Sequence, residues 1–365
     1  MYRGSSPRPI IKYITKAPHG VNWIKIGDMP ENGNFVANIS ERITPEGAKK
    51  SRKVEIGDII LSNSMSFGKP YIMGVAGYIH DGWFVIREFE KYFDKEYLCQ
   101  LLVSPFVQNQ YKKLAAGGVV LNISSDLVNS VNVPIISIVE QKKIANFLSL
   151  IDQRIEKQRQ LVESLKKYKR GYLKALIKKL NTTEFLLENI VEEYQNKTIL
   201  NMQYPILSST MNGIKLQDDY FNKQAASENT IGYKIVPKGY FTYRSMSDTG
   251  VFRFNRQMLV GNGIVSPAYP VFKVKSEEAN PIFVEYMLNE DDKIKEQLLT
   301  QKEGGTRYAL SFSKFKSLKI NLPDINIQEK IAIQITLLNT LVKKQEAYLH
   351  CLNKNKCGLL QQMFI

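Results

Sequence analysis

The chain has 365 residues, 44% of them hydrophobic and 10% aromatic, which excludes a disordered polymer and leaves room for two folded domains. Lys and Arg number 50 against 35 Asp and Glu, so the net charge is +15 with a pI near 9.4, and an acidic partner is expected, nucleic acid ahead of a membrane. Three cysteines without a CxxC pair and three histidines in no ligand spacing argue against a disulfide framework and a metal site, and for a reducing cytoplasm.

The opening Met1-Tyr2-Arg3-Gly4-Ser5-Ser6 lacks the apolar core of a signal peptide. No apolar run approaches the roughly 18 residues of a membrane helix. Residues 1–135 read as a first domain of mixed strand and short helix. Trp23-Ile24-Lys25-Ile26-Gly27-Asp28 predicts a strand leading into a turn, and 54–61 a hairpin with Gly57-Asp58 as its turn. Tyr97, Leu101, Leu102, Phe106, Val107, Tyr111 and Leu114 predict one helix, stopped by Gly117-Gly118. A short strand and proline exit, Val131-Asn132-Val133-Pro134, close the domain, and 136–180 is a long helix.

The second domain, 181–323, repeats the plan. Its lead-in Phe185-Leu186-Leu187-Glu188-Asn189-Ile190 has almost no counterpart in the first domain, so that domain is expected to start short, as a natural form, a fragment or a recombined product. Residues 233–241 predict strand, turn, strand. One helix is expected over 281–299, then Gly304-Gly305, then Ile320-Asn321-Leu322-Pro323, and 324–365 is a second long helix.

The two long helices repeat one pattern: Ile144 and Ile331 lie 187 positions apart, and the rest of the stripe keeps that offset. The first carries Ile144, Leu148, Ile151, Ile155, Gln158, Val162, Leu165, Lys169, Tyr172 and Leu176. The second carries Ile331, Ile335, Leu338, Val342, Gln345, Leu349, Leu352, Lys356, Leu359 and Met363. Alternating spacings of four and three make a heptad seam, and each helix reaches about 60 Å. An antiparallel pair within the chain is expected, placing the domains at opposite ends with pseudo-two-fold symmetry. Gln158 and Gln345 then face each other, either as a buried register-fixing pair or as solvated seam-edge groups. Residues 140–179 hold 12 Lys/Arg against four Asp/Glu, and the run Lys166-Lys167-Tyr168-Lys169-Arg170 reads as a phosphate contact or as a solvated face.

Catalytic motifs are absent. There is no GxxxxGK[ST] loop, and Asn280-Pro281-Ile282-Phe283 lacks the second proline of an amino-methyltransferase tetrad. Gly261-Asn262-Gly263 reads as a turn, and His80-Asp81 as a turn or polar contact. A non-catalytic binder is expected.

The residues resemble the DNA-specificity subunit of type I restriction–modification systems. The resemblance lies in Val131-Asn132-Val133-Pro134 followed by Glu140-Gln141-Lys142-Lys143-Ile144-Ala145, and in Asn321-Leu322-Pro323 followed by Gln328-Glu329-Lys330-Ile331-Ala332. The second copy departs at Ile327-Gln328 and in a link two residues shorter. Residues 23–28, 43–50 and 243–250 also look like known recognition-domain types. The resemblance implies an α+β fold: two mixed target-recognition domains joined by two long antiparallel spacer helices, a pseudo-two-fold repeat. Each domain would read half of a bipartite double-stranded DNA target, and the helices would set the gap. Two modification subunits with S-adenosylmethionine, and restriction subunits with ATP and Mg, would dock on it, with no cofactor on this chain and no membrane involved.

Basic and amide groups near Gly/Ser-rich loops are the candidate DNA contacts, because such loops let the backbone approach phosphate while Arg or Asn reads base edges. In the first domain these are Arg42, Lys49, Lys50, Ser51, Arg52, Ser62, Asn63, Ser64, Ser66 and Lys69. In the second they are Arg244, Ser245, Ser247, Arg253, Asn255, Arg256, Arg307 and Tyr308. Two other readings fit the same residues: a coiled-coil assembly scaffold without sequence-specific DNA binding, and a silent or recombining specificity cassette.

Overall fold

The computed structural model of the protein describes residues 1–30, 33–63, 68–115, 128–217, 229–300 and 308–364. Ser64, Ser66, Arg307 and both Gly-Gly pairs lie outside the described residues. The chain divides into two compact units, Met1–Leu165 with Lys344–Ile365, and Lys166–Lys343, so each long helix contributes to both.

Among the described residues, unit 1 holds two sheets. The first runs β1 (Tyr2–Arg3), β9 (Trp83–Ile86), β6 (Ile59–Ser62), β7 (Pro70–Met73), β3 (Phe35–Val36). The second runs β4 (Glu41–Ile43), β2 (Val21–Ile24), β8 (Gly77–Ile79), β5 (Arg52–Val54). The first sheet is covered on both faces. Ile60, Tyr71, Trp83 and Val85 pack with Ile24, Val54 and Ile79 of the second sheet. Ile59, Leu61 and Phe84 pack with α2 (Lys95–Val103), α3 (Pro105–Ala115), Ala145, Leu148, Leu360 and Phe364. That double cover is why β6 reads as an unbroken apolar run rather than an alternation.

In Unit 2, β11 (Val191–Glu193), β19 (Val271–Val274), β15 (Phe241–Tyr243) and β17 (Phe254–Arg256) form the main sheet. Phe254, Phe272 and Tyr243 pack against Phe315 at ring centroid distances of 5.1, 4.9 and 5.4 Å, the first pair stacked and the others tilted. Over them lie α6 (Pro281–Glu290), α7 (Asp292–Thr300) and α8 (Phe312–Lys316), with Leu173, Ile331 and Ile335 from the long helices. Smaller two-stranded pairs complete the unit: β10 (Thr183–Leu186) with β21 (Lys319–Leu322), β12 (Leu207–Thr210) with β13 (Gly213–Leu216), β14 (Lys234–Pro237) with β18 (Asn262–Val265), and β16 (Met246–Ser247) with β20 (Tyr308–Ala309). Two one-turn helices, α1 (Pro45–Ala48) in unit 1 and α5 (Leu187–Ile190) in unit 2, bridge strands.

Four local expectations are corrected. The stretch 54–61 is not a hairpin, because β5 and β6 lie in different sheets. Asp58 accepts from the Glu55 amide at 2.9 Å and binds Arg87 at 2.6 Å, and Gly57 sits at φ +90°, so the turn passes the chain between sheets. The helix expected over 97–114 breaks at Ser104, extended at ψ 150° because Pro105 follows. The helix expected over 281–299 breaks at Asp291, whose carboxylate caps α7 through the Ile294 amide at 3.1 Å. Residues 131–134 hold no strand, whereas their counterpart β21 pairs with β10.

The long helices are α4 (Ile138–Lys178) and α9 (Ile325–Met363). They pair antiparallel within each unit. In unit 1, Leu148, Ile155 and Val162 are buried, with Ile144, Ile151 and Leu165 partly so, opposite Leu349 and Leu352, also partly buried. Ile331, Ile335 and Val342 are buried in unit 2, with Leu338 partly so. Gln158 is 9% exposed and donates to Gln345 Oε1 at 2.7 Å, so the two glutamines meet across the seam, with Gln345 half-buried. Two lysines at equivalent seam positions add to it: Lys169 reaches Asn339 at 2.8 Å in unit 2, and Lys356 reaches Asp152 at 2.6 Å in unit 1. After these lysines the seam slips. Tyr172 is exposed and Leu359 half-buried, while Leu173 and Leu360 are buried instead, entering the cores of units 2 and 1. A spacing of four after a spacing of four abandons the heptad for the straight-helix period, as suits a helix leaving its partner for a globular core.

Gln158→Leu alone is expected to lower stability by about 1 kcal/mol, the worth of one hydrogen bond. The double variant Gln158→Leu/Gln345→Leu should melt at or above the wild type, because an apolar pair suits the seam better. A double variant melting below the wild type in a thermal double-mutant cycle would sink the burial assignment.

Sequence reasoning missed a second glutamine pair. Gln141 and Gln328, 187 positions apart in the first turns of α4 and α9, are buried at 0% and 2% exposure. Gln141 Nε2 donates to the carbonyls of Tyr92 at 2.8 Å and Ile136 at 2.9 Å, and its Oε1 accepts from the Asp94 amide at 2.7 Å. Gln328 donates to the Pro323 carbonyl at 2.8 Å and accepts from the Asn280 amide at 2.9 Å. Asp94 and Asn280 are the N-caps of α2 and α6. Each glutamine therefore ties a spacer helix to the helix of its own domain. The departure at Ile327-Gln328 leaves this role intact.

Candidate nucleic-acid interface

In unit 2 a cleft of about 720 Å³ gathers several of the expected residues. Arg244, Ser247 and Arg253 line it, together with Ser208, Thr210, Met211, Asn212, Asp248 and Thr249, which the sequence reading did not single out. Arg244 is exposed and Arg253 pairs with Glu290 at 3.2 Å. Ser247 Oγ shares a hydrogen bond with Thr249 at 3.4 Å. Ser245 serves through its backbone, its carbonyl accepting from Leu310 at 2.8 Å. Tyr308 is half-buried on β20, paired with Ser247 across the ladder.

Two expected contacts in this unit are tied to neighbouring side chains, Asn255 buried and Arg256 half-buried. Asn255 is 4% exposed and its amide donates to Ser209 Oγ at 2.9 Å and the Thr210 carbonyl at 2.8 Å, holding β12 in place. The Arg256 guanidinium binds Glu285 at 3.3 Å. Burial pushes the Glu285 carboxyl above the usual carboxylate range, and Arg256 and Arg253 pull it part of the way back.

In unit 1 Arg42, Lys49, Lys50 and Arg52 are exposed basic residues on and between strands of the second sheet, while Lys69 is half-buried beside the first. Arg42 stands on β4, and Lys49 and Lys50 follow α1, which Thr44 caps through the Gly47 amide. Lys50 donates to Tyr13 OH at 2.7 Å and lies over that ring at 5.0 Å. Arg52 donates to the Arg3 carbonyl at 2.9 Å and stacks on Tyr2 at 5.5 Å. These aromatic contacts steady the long cations while leaving charge exposed. Ser51 bonds the Gly47 carbonyl at 3.1 Å, and Lys69 sits over Tyr71 at 4.9 Å. Ser62 and Asn63 are both buried, and Asn63 donates to the Asp81 carbonyl at 3.0 Å.

His80 and Asp81 are polar contacts. His80 Nδ1 accepts from the Gly82 amide at 2.8 Å, and burial lowers its pKa. Asp81 takes Ser6 at 2.7 Å and Arg8 at 3.0 Å, and those partners, Ser6 first, lower its pKa. Asn280-Pro281 is a helix start, with Asn280 as cap and Pro281 in the first turn. Among the described residues no group of three or more His, Cys, Asp or Glu is placed to hold a metal ion, and no helix is long and apolar enough to cross a membrane.

The fold has solved relatives. One chain, from a type I R-M system described for its complex assembly and conformational transition, matches with a TM-score of 0.61 at 15% identity, covering 98% of this chain and 93% of that one. The type I restriction–modification system S subunit from M. genitalium matches with a TM-score of 0.52 at 16% identity, covering 100% and 96%. At these identities the likeness speaks to the fold. A curated relative, the type I restriction enzyme StySPI specificity subunit of Salmonella potsdam, is 25% identical over 199 residues, 49% of this chain and 42% of that protein, so the match spans less than half of the relative. The family model for the type I restriction modification DNA specificity domain matches twice, at residues 6–167 and 177–347. The two matches together span most of the chain, and it belongs to the type I restriction–modification DNA specificity family, with two copies of the domain.

Proposed function

We propose that this chain is the non-catalytic, sequence-reading subunit of a type I restriction–modification complex. Each domain reads one half of a bipartite double-stranded DNA target, and the helix pair sets the gap, near one duplex turn of about 34 Å. Two modification subunits that use S-adenosylmethionine methylate adenine, and restriction subunits that use ATP and Mg cut. An adenine inside a duplex is out of reach, so the modification subunit flips it.

The observation that carries this reading is the 187-residue repeat, in which buried Gln141 and Gln328 make the same attachment of helix to domain. One scaffold used twice suits a split target. The exposed basic residues of unit 1 and the cleft of unit 2 share no pattern of side chains, as two different half-sites require. The scaffold alternative lacks a reason for two unlike polar surfaces on like frames.

Methylation mapping in a host expressing this chain with its cognate modification subunit tests the reading. The expected result is a split adenine-methylated motif, two short half-sites around a fixed gap. An assembled complex that adds no new motif would refute it.

A further inference from the structure

The strands β12 and β13 form a two-stranded ribbon with a two-residue tip, Met211-Asn212. Its two faces differ. Leu207 and Ser209 point inward and are buried, and Leu207 packs with Val236, Val265 and Val271. Gly263 lies so close beneath that a Cβ there would meet Leu207 Cδ1 at 2.3 Å. Ser208 pairs directly with Lys215, and Thr210 with Gly213, on the opposite face. That outward face is open: Lys215 and the tip residues Met211 and Asn212 are exposed, and Ser208 and Thr210 half-buried, all polar but Met211.

We propose that this ribbon is the base-reading element of unit 2, entering the major groove with Asn212 at its tip and Ser208 and Thr210 along its outer face. The inference rests on the DNA-reading function proposed above and assigns the residues that set one half-site. A major groove about 12 Å wide admits a two-stranded ribbon, and Asn reads adenine through its N6 and N7 while Ser reads several bases. The ribbon lines the same cleft as exposed Arg244, which is placed to add a guanine or phosphate contact. Its base is stiff. Asn255 holds the Ser209 hydroxyl and the Thr210 carbonyl, and Ser209 donates in turn to the Thr242 carbonyl at 3.3 Å. A reading element must be held by such buried contacts, because loosely held side chains lose discrimination. Thr210 also orders the tip, its hydroxyl accepting from the Asn212 amide at 3.1 Å and donating to the Gly213 carbonyl at 2.8 Å.

The test is methylation mapping and DNA-affinity measurement on the full chain with its modification subunit, comparing wild type with Asn212→Ala, Ser208→Ala and Lys215→Gln. Asn212→Ala and Ser208→Ala should each lose about tenfold in discrimination at one or two positions of one half-site, with the other half-site unchanged. Lys215→Gln should reduce the salt slope of affinity by about one without altering the motif. Unchanged circular dichroism and melting would show that the fold is intact. A wild-type motif that persists unaltered in both Asn212→Ala and Ser208→Ala overturns the ribbon assignment. So does a uniform fall in affinity that leaves every position equally specified, because that marks a phosphate contact. A wild type without any split motif would instead refute the underlying function.

Discussion

Replacing Gln141 with leucine is expected to destabilise unit 1 by about 3 kcal/mol, the larger end of the range for single substitutions. Leucine fills a similar volume, so the loss is not one of packing. It strands the carbonyls of Tyr92 and Ile136 and the amide of Asp94 in a site with no exposure to water. Asp94 is itself the cap that accepts from the Tyr97 amide at 3.1 Å, so the start of α2 should loosen with it. Gln328→Leu should act likewise at the start of α6, through the stranded Asn280 amide and Pro323 carbonyl. Hydrogen-exchange mass spectrometry separates the two. Protection should fall over 92–103 in the first variant and over 280–290 in the second. Wild-type protection there in both would show that the glutamines are passengers. Gln141→Glu offers no rescue, because a carboxylate cannot donate to two carbonyls and would sit charged among them.

Both helices were legible because a 3.6-residue stripe repeated over some forty positions leaves little ambiguity, and the repeat offset paired Gln158 with Gln345 before any contact was known. The same offset pairs Gln141 with Gln328, so the signal for the latch was present, three residues before the stripe begins. Sheet membership was not legible at Val54 and Ile59. A Gly-Asp turn between apolar runs looks alike whether the strands pair or part, and only Arg87, distant in sequence, binds Asp58 and decides it. Helix breaks at Pro105 and Asp291 had local signals that the apolar spacing overrode. The ribbon was not read from the sequence: Asn212-Gly213 is a hairpin signal, but the tip is Met211-Asn212 and Gly213 already pairs with Thr210.

The binding surfaces were less legible than the frame. Composition favours arginine and asparagine near small-residue loops, but Asn255 and Arg256 lie on a strand where one side chain props β12 and the other answers a half-buried carboxylate. A polar residue that props a surface and one that reads DNA have the same one-letter signature. Burial separates them, and burial is set by strands far away in sequence. Lys49, Arg42 and Arg244 are exposed among the described residues.

Arg256→Ala is therefore expected to damage the fold of unit 2, and a loss of DNA recognition in that variant would report the damage. Removing the guanidinium leaves Glu285 half-buried without its nearest cation, a loss of about 2 kcal/mol near neutral pH. The sign with pH follows from Glu285. Its folded-state pKa is raised by burial, so the folded chain holds that proton more tightly than the unfolded one. The contribution to stability is fully present below the ordinary glutamate value of about 4.3 and is lost as pH rises through the folded value. Without Arg256 the folded value climbs further, so the loss extends over a wider window. Urea midpoints measured from about pH 4 to about pH 7 should fall more steeply in Arg256→Ala than in the wild type. Glu285→Gln on the Arg256→Ala background should flatten that fall and recover most of the neutral-pH stability, because an amide does not need a cation beside it. Parallel pH curves for the wild type and Arg256→Ala would mean that the carboxylate is solvated, and would return Arg256 to the list of DNA contacts.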